Sequence, residues 1–431
     1  MKMDKKLLVL LLVVTLFFTF VFVGYGEDRS SFKADLRILW PGTSAVEKEL
    51  AFNIQEKVKA EYPGINIEYI FLNWSDIEKK LAIMINAGDY PDLMQIQDAT
   101  NPVAMDALEP LGGYLTDKIN EDMFVGASWN CMKVDDVVYG IPALAILYSH
   151  VANTDLLKEV GYNVSDLKTW DDVIEASHLI KATGKYGYAM ANGGTGRFTF
   201  RDFMMVCLSN GITPDQVDDA HKKQYLEVLN LFKELSSDMP KSQITWLYPD
   251  LFKAWEAGDV GIMHTGSYFT SNVLDHGKKA MDRTVPFVFP TGPSVDKPHM
   301  MVGAVGMSII KGSENKEAAW KVIEIIMTPE ILGQWGGALH SCAGTYVDSA
   351  ILENASKKVY PEVYKQHTAM IKKWSNLAVE YGIPIPKILG QAQMEVVLQG
   401  AMIKMLDGEI TVIETYNIIR TGIEKVKASF K

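Results

Sequence analysis

Cysteine is scarce in this chain: 431 residues hold three, Cys131, Cys207 and Cys342. They are far apart, odd in number and without metal-ligand spacing, which excludes a disulfide-stapled scaffold and a zinc motif. One disulfide stays open as an alternative in an oxidising compartment. Their mostly apolar or small neighbours favour buried thiols. Basic residues are also in deficit, 42 Lys+Arg against 53 Asp+Glu, for a formal net charge of −11. Such a surface repels nucleic acid and anionic lipid, so neither is an expected partner. The eight histidines are scattered, and neither a His-Glu-x-x-His metal motif nor a Gly-x-Ser-x-Gly elbow occurs. Asn192-Gly193-Gly194-Thr195-Gly196-Arg197 lacks the Gly-Lys-Ser/Thr ending and the strand-then-helix setting of a phosphate loop. No internal repeat, no low-complexity linker and, past residue 23, no apolar run of spanning length is present.

What is there begins with a basic start, Lys2, Lys5 and Lys6, then an apolar run over 7–23 broken only by Thr15 and Thr19. Gly24-Tyr25-Gly26 and a polar stretch follow, the parts of a secretory signal with cleavage after Gly26. The rival reading is an uncleaved anchor, since the run reaches the lower limit for a spanning helix, roughly 17 residues. Either way the bulk of the chain is expected outside the cytoplasmic membrane. No cysteine follows the run to carry an N-acyl anchor. The remainder, roughly 400 residues, is too long for one ordinary core, so two domains are the expectation.

Past the leader, strands and amphipathic helices alternate, the pattern of an α/β fold with largely parallel sheets. Leu36-Arg37-Ile38-Leu39-Trp40 reads as a strand and Pro41-Gly42 as a turn. Ser44 is placed to cap a helix over 45–62, with Val46, Leu50, Ile54 and Val58 at helical spacing. A second strand follows over 65–70, a helix from Ser75 or Asp76 to near Gly88, and a third strand over 91–96. In such sheets ligands sit beyond the carboxyl ends of the strands. Those ends carry Trp40, Asn73 and Trp74, and Gln97 and Asp98. An indole offers a flat apolar face to a sugar ring, while carboxylates and amides bond its hydroxyls, so these residues suit a carbohydrate cleft. Each tryptophan has a competing reading as core.

Six ordered segments then resemble one family. They are Val138-Tyr139-Gly140-Ile141-Pro142 leading to Asn153-Thr154-Asp155-Leu156-Leu157; Lys168-Thr169-Trp170-Asp171-Asp172-Val173, where Thr169 can cap; the stretch from Trp255-Glu256-Ala257-Gly258-Asp259 to Gly266-Ser267-Tyr268; Phe287-Val288-Phe289-Pro290 with Val302-Gly303-Ala304-Val305-Gly306; Ala318-Ala319-Trp320-Lys321-Val322-Ile323 with Thr328-Pro329-Glu330; and Met405-Leu406-Asp407-Gly408-Glu409-Ile410-Thr411-Val412. In order over nearly the whole chain from Leu36, they resemble family 1 extracellular solute-binding proteins, the group of the maltose-binding protein. Two places depart from its pattern: Ala152 stands before Asn153 where Tyr is usual, and the Gly-rich segment runs into Leu339-His340-Ser341-Cys342, where Pro is frequent.

The resemblance implies a two-lobed periplasmic-binding-protein fold of type II, each lobe a mainly parallel sheet flanked by helices, joined by a multi-strand hinge. Lobe one would take 35–145 and 302–342, lobe two 148–300 and 343–431. A small ligand, expected to be a mono- or oligosaccharide, would bind between them, and closure would present the pair to the permease of an ABC importer. The candidate contacts are Trp40, Asn73, Trp74, Asp76, Gln97 and Asp98 from lobe one, and Asn192, Arg197, Ser267 and Tyr268 from lobe two. Asp76 has an equal reading as a helix cap. Trp246 and Trp335 are further candidates for the cleft, while Trp255 and Trp320 read as core. The expectation includes a monomer, no cofactor, no metal and no catalysis. The alternatives are a polyamine or metal chelate in the same fold and, more remotely, a glycoside-active enzyme using a carboxylate pair such as Asp76 and Asp98.

Overall fold

The structure, a computed structural model, describes residues 32–42, 45–124, 126–270, 278–339, 342–343, 349–359 and 361–430. The expected export signal over 1–26, the Ser44 cap, and His340 and Ser341 of the departing loop lie outside the described residues.

The chain opens β1 (Ala34–Pro41), α1 (Ala45–Glu61), β2 (Ile65–Leu72), α2 (Ile77–Asn86) and β3 (Leu93–Ile96). β1 lies between β2 and β3 and parallel to both, so the carboxyl ends of all three point the same way. Strand alternation divides β1's side chains: Leu36, Ile38 and Trp40 enter one apolar cluster with Leu50, Ile54 and Val58 of α1. Leu39 enters another with Ile77, Leu81 and Met84 of α2.

Next comes β4 (Ile141–Asn153), thirteen residues long and buried throughout. Asn153 ends it by capping the short helix Thr154–Glu159, its Oδ1 accepting from the Asp155 and Leu156 amides. The residue before it, Ala152, pairs with Ile262 and Val285 and is fully buried, so the expected tyrosine's place is filled by sheet packing. α3 (Trp170–Ala182) starts as expected at Thr169, which forms a capping box with Asp172. β5 (Tyr186–Tyr188), α4 (Arg197–Leu208), α5 (Lys222–Leu235), α6 (Tyr248–Ala257), β6 (Val260–Gly266) and β7 (Thr284–Phe287) complete this part. β5 runs parallel to β6, and β4 is antiparallel to β6 and β7.

β8 (Met300–Ile309) brings the chain back. Its last residues pair with β3, its middle with β4, and its first three with β9 (Gly382–Pro384). β4 makes the reciprocal crossing: residues between Ile141 and Tyr148 pair with β8, and Tyr148 to Ala152 pair with β6. These two antiparallel strands tie the parallel trio β2-β1-β3 to the β6–β5 pair, forming a multi-strand connection between two α/β lobes. Their register shifts between Val305 and Gly306. A Cβ on Gly306 would sit 2.3 Å from the Ile141 carbonyl oxygen, so only glycine lets the strands approach there.

The helices after β8 close the molecule: α7 (Lys316–Ile326), α8 (Pro329–Leu339), α9 (Tyr364–Tyr381), α10 (Gln391–Leu406) and α11 (Val412–Ala428). Thr411 and Glu414 form a second capping box at the start of α11. Gly333 and Gly337 of α8 lie against Ile351, Leu352 and Ala355. The helix Ser349–Val359 thus packs beside α8 and also against α9, where Ser356 Oγ meets His367 Nδ1 at 2.8 Å. Cys131 and Cys207 are buried free thiols; burial pushes Cys131 up to about 12 and Cys207 well above its usual value. Among the described residues no helix is long and apolar enough to cross a membrane.

Candidate ligand-binding cleft

A cavity of about 240 Å³ opens where the crossing strands meet the two lobes. One wall comes from the ends of the parallel trio: Trp74 after β2, Gln97 and Asp98 after β3, and Ile77 and Glu78 at the start of α2. The floor is Tyr148, where β4 changes partners, with Gly303 and Ala304 of β8. The opposite wall is helical, with Thr195, Arg197 and Arg201 at and within α4 and Gln391 and Glu395 on α10.

Local backbone chemistry sets this second wall. Gly196, the N-cap of α4, has φ +84°, and a Cβ there would lie 2.6 Å from the Glu395 carbonyl oxygen. Glycine therefore lets α4 begin directly against α10. Arg197 and Arg201 then stand four residues apart on one helix face. Arg201 Nη2 donates to Gln97 Oε1 at 2.6 Å, and Arg197 Nη2 donates to the same oxygen. Arg197 Nη1 donates to the Trp74 carbonyl oxygen at 3.3 Å. Arg201 also donates to the Tyr148 hydroxyl and lies over that ring, 4.5 Å from its centroid.

The carboxyl groups of the cavity are held differently. Asp98 Oδ1 accepts from the Thr100 amide at 2.8 Å, while its Oδ2 is buried without a partner. Burial pushes this carboxyl up from the usual range, against the pull of its Thr100 bonds and of Lys387. Glu78 is also raised, first by burial and then by Glu395 and Asp98, with Arg197 opposing. Glu395 Oε1 accepts from Gln391 Nε2 at 2.8 Å. Guanidinium donors, carboxyl acceptors and the rings of Trp74 and Tyr148 face one space, suited to a small ligand rich in hydroxyls.

Of the residues named from sequence, Trp74, Gln97, Asp98 and Arg197 are brought together at this cavity. Trp40 is corrected to core: it is 1% exposed and stacks on Trp335, with ring centroids 5.3 Å apart. Trp335, 3% exposed, goes with it. Asn73 and Asp76 are exposed and bond one another at 3.4 Å outside the cavity lining. Asp76 holds the N-cap position of α2, but its side chain makes no cap bond. The conjectured Asp76–Asp98 pair therefore does not converge on the cavity.

Asn192 is buried behind the wall, where its Oδ1 accepts from Thr199. Ser267 is a sheet-end residue whose Oγ accepts from the Leu147 amide at 3.3 Å. Tyr268 lines a separate recess of about 10 Å³ with Asp202, His264 and Tyr248. Trp246 is half-buried and meets Tyr186 edge-on, whereas Trp255, Trp320 and Trp374 are buried, the first two as expected. Tyr148, Arg201, Glu78, Gln391 and Glu395 were missed from sequence. Arg201 had a signal, its four-residue spacing from Arg197; Gln391 and Glu395 lie about 200 residues from the rest of the second wall and had none.

Behind Arg201 sits a second polar group. Tyr188 donates to Asp202 Oδ1 at 2.8 Å and contacts His150 Nε2 at 2.8 Å; the His150 and His264 rings are 5.4 Å apart. Burial lowers both histidines to about 3 and raises Asp202 to about 6.

Two α/β lobes, joined by crossing strands around a polar cleft, define the class of two-lobed solute-binding proteins. The chain belongs to the bacterial extracellular solute-binding protein family, whose model matches residues 46–331. A binding protein of Brucella abortus is 24% identical over 284 residues, which cover 63% of this chain and 67% of that one. The maltotriose-binding protein of Pyrococcus abyssi is 22% identical over 357 residues, covering 80% and 75%. Among solved structures, a chitin oligosaccharide binding protein has a TM-score of 0.75 at 19% identity, with 92% of this chain and 99% of that one covered.

Proposed function

We propose that this protein is an extracytoplasmic binding protein that captures a mono- or oligosaccharide in the cleft and delivers it to an ABC importer by hinge closure. The observation that carries the reading is the pair of facing walls. Arginines of α4 reach Gln97 and the Trp74 carbonyl on the other lobe around a cavity floored by the crossing strands. A ligand that touches both walls gains its full contacts only when the lobes are closed, so it shifts the population toward closure. Similarity to maltotriose- and chitin-oligosaccharide-binding proteins supports a sugar. The two guanidinium groups oppose a polyamine. In this reading the lobes are 35–145 with 302–342 and 148–300 with 343–431. The protein works as a monomer outside the cytoplasmic membrane, directed there by residues 1–26, and catalyses nothing.

Thermal-shift screening against mono- and oligosaccharides tests the proposal. A ligand at 100-fold excess over Kd adds about 2.7 kcal/mol of stability, a clear rise in melting temperature. A rise with a polyamine or a metal chelate and with no saccharide would sink the sugar assignment.

A further inference from the structure

Two permanently charged groups in the cleft make no direct ion pair among the described residues. Arg201 is 6% exposed and Arg197 half-buried, and both guanidinium groups converge on one neutral oxygen, Gln97 Oε1. Among the described residues neither lies within ion-pair distance of a carboxylate, and Arg201 Nε is buried without a partner. Arginine does not lose its proton to escape such a place, so an anion in direct contact with both guanidinium groups would offset more of the burial cost than Glu395 and Glu78 do from a distance. Arg197 is lowered, first by burial and then by Arg201, with Glu395 and Glu78 opposing, whereas Arg201 is raised despite burial by Tyr148, Tyr268 and Glu395.

The acids nearby act only at a distance: Glu395 favours both cations and Glu78 favours Arg197, but neither bonds a guanidinium. Glu395 takes an amide bond from Gln391, Asp98 takes the Thr100 amide, and burial drives Glu78 and Asp98 toward the neutral acid. Two forks aimed at a single shared acceptor describe a place for an oxyanion.

Resting on the saccharide reading above, we infer that the cleft selects a saccharide bearing an oxyanion, its charged oxygens bridging Arg197 and Arg201 where Gln97 Oε1 now lies. The carboxylate of a uronic acid and a sulfate ester supply the same chemistry. Glu78 and Asp98 are left to bond hydroxyls of the same sugar.

Calorimetric titration of the whole exported chain with matched oligosaccharides decides it. The probes are a galacturonate trisaccharide, its fully methyl-esterified form, and a sulfated and an unsulfated galactose trisaccharide. The expected result is at least tenfold tighter binding of a charged member than of its neutral partner, with the galacturonate or the sulfated pair identifying the source of the charge. Arg197→Gln should bring that ratio to within threefold of unity, the charged member losing at least threefold more affinity than the neutral one. Arg201→Gln should do the same if its melt shows it folded. Equal binding of charged and neutral members overturns the oxyanion assignment and leaves the saccharide reading standing. Binding of no saccharide, alongside a thermal shift by a polyamine or metal chelate, overturns both.

Discussion

The two walls of the cleft are built on different principles. The first wall is made of strand ends and the turn of helix that follows: Trp74, Gln97 and Asp98 leave β2 and β3 side by side because those strands are parallel neighbours of β1. The second is made of helix faces brought together by tertiary packing, α4 against α10, with Gly196 as the point of closest approach. A wall of strand ends inherits its position from sheet topology. A wall of helix faces depends on how two helices dock, and its polar groups are held by one another and by the facing wall, Gln391 on Glu395 and both arginines on Gln97.

The largest effect that can break this comparison concerns what lies behind the first wall. Trp40 ends β1 yet stacks on Trp335 in the core. Trp40→Ala should cost about 3–5 kcal/mol of stability, as large buried aromatics do, with ligand affinity unchanged in the fraction that folds. Chemical denaturation with calorimetric titration of the folded protein reads both. A loss of affinity with little loss of stability would return Trp40 to the cleft.

Behind the second wall the sensitive variable is pH. His150 and His264, held to about 3 by burial, stay neutral in the folded chain where the unfolded chain takes up protons below about 6.5. Each therefore removes stability as pH falls through that window, by about 1.4 kcal/mol per pH unit. Asp202, raised to about 6, has the opposite sign: between about 6 and its ordinary value it holds a proton the unfolded chain lacks, and it stabilises as pH falls. His367, lowered to about 4 by burial, adds to the losing side. Acidification from pH 6 to 4 should thus destabilise the protein, and His264→Gln should flatten the dependence by about 1.4 kcal/mol per unit. Urea midpoints at pH 4, 5, 6 and 7 measure the slopes. Parallel slopes in the two proteins would place the acid sensitivity elsewhere.

A smaller effect probes the first wall itself. Trp74 is half-buried at the cavity, and its link to Arg197 runs through its backbone carbonyl, which an alanine keeps. Trp74→Ala should weaken saccharide binding about tenfold, or ~1.4 kcal/mol, while the melting temperature moves little. The reverse pattern would make Trp74 a packing residue and leave Tyr148 as the one ring facing the ligand.

How far the sequence could be read follows the same division. The opening β-α-β-α-β was legible because apolar periodicity and Pro-Gly turns are local, and the strand over 36–40 and the helix over 45–62 fall on β1 and α1. The first wall followed from strand ends. Trp40 was misassigned although the information was present: Leu36, Ile38 and Trp40 alternate with Arg37, so Trp40 shares the face of two core residues. The second wall was half legible. Arg197 came from a cleft-loop segment and Arg201 was missed although its helical spacing from Arg197 signalled it, while nothing near Gln391 or Glu395 announces a meeting with residues about 200 positions away. Asn192, Ser267 and Tyr268 lie near the wall in sequence and behind or beside it in space, because a loop or strand end faces two ways and only packing decides which.

The smallest effect is a control on lobe two that touches neither wall. Thr169 caps α3, accepting from the Asp172 amide at 3.2 Å while Asp172 accepts from the Thr169 amide at 2.8 Å. Thr169→Ala removes the first bond and strands one amide, which should cost about 1 kcal/mol. α3 packs on β5 and α5 rather than on α4's cleft face, so the loss should appear in the melt with saccharide Kd unchanged. If affinity falls in step with stability, docking of the helices in lobe two is soft enough for a distant cap to move Arg197 and Arg201. The second wall would then be set by the stability of its whole lobe, while the first would remain fixed by its sheet.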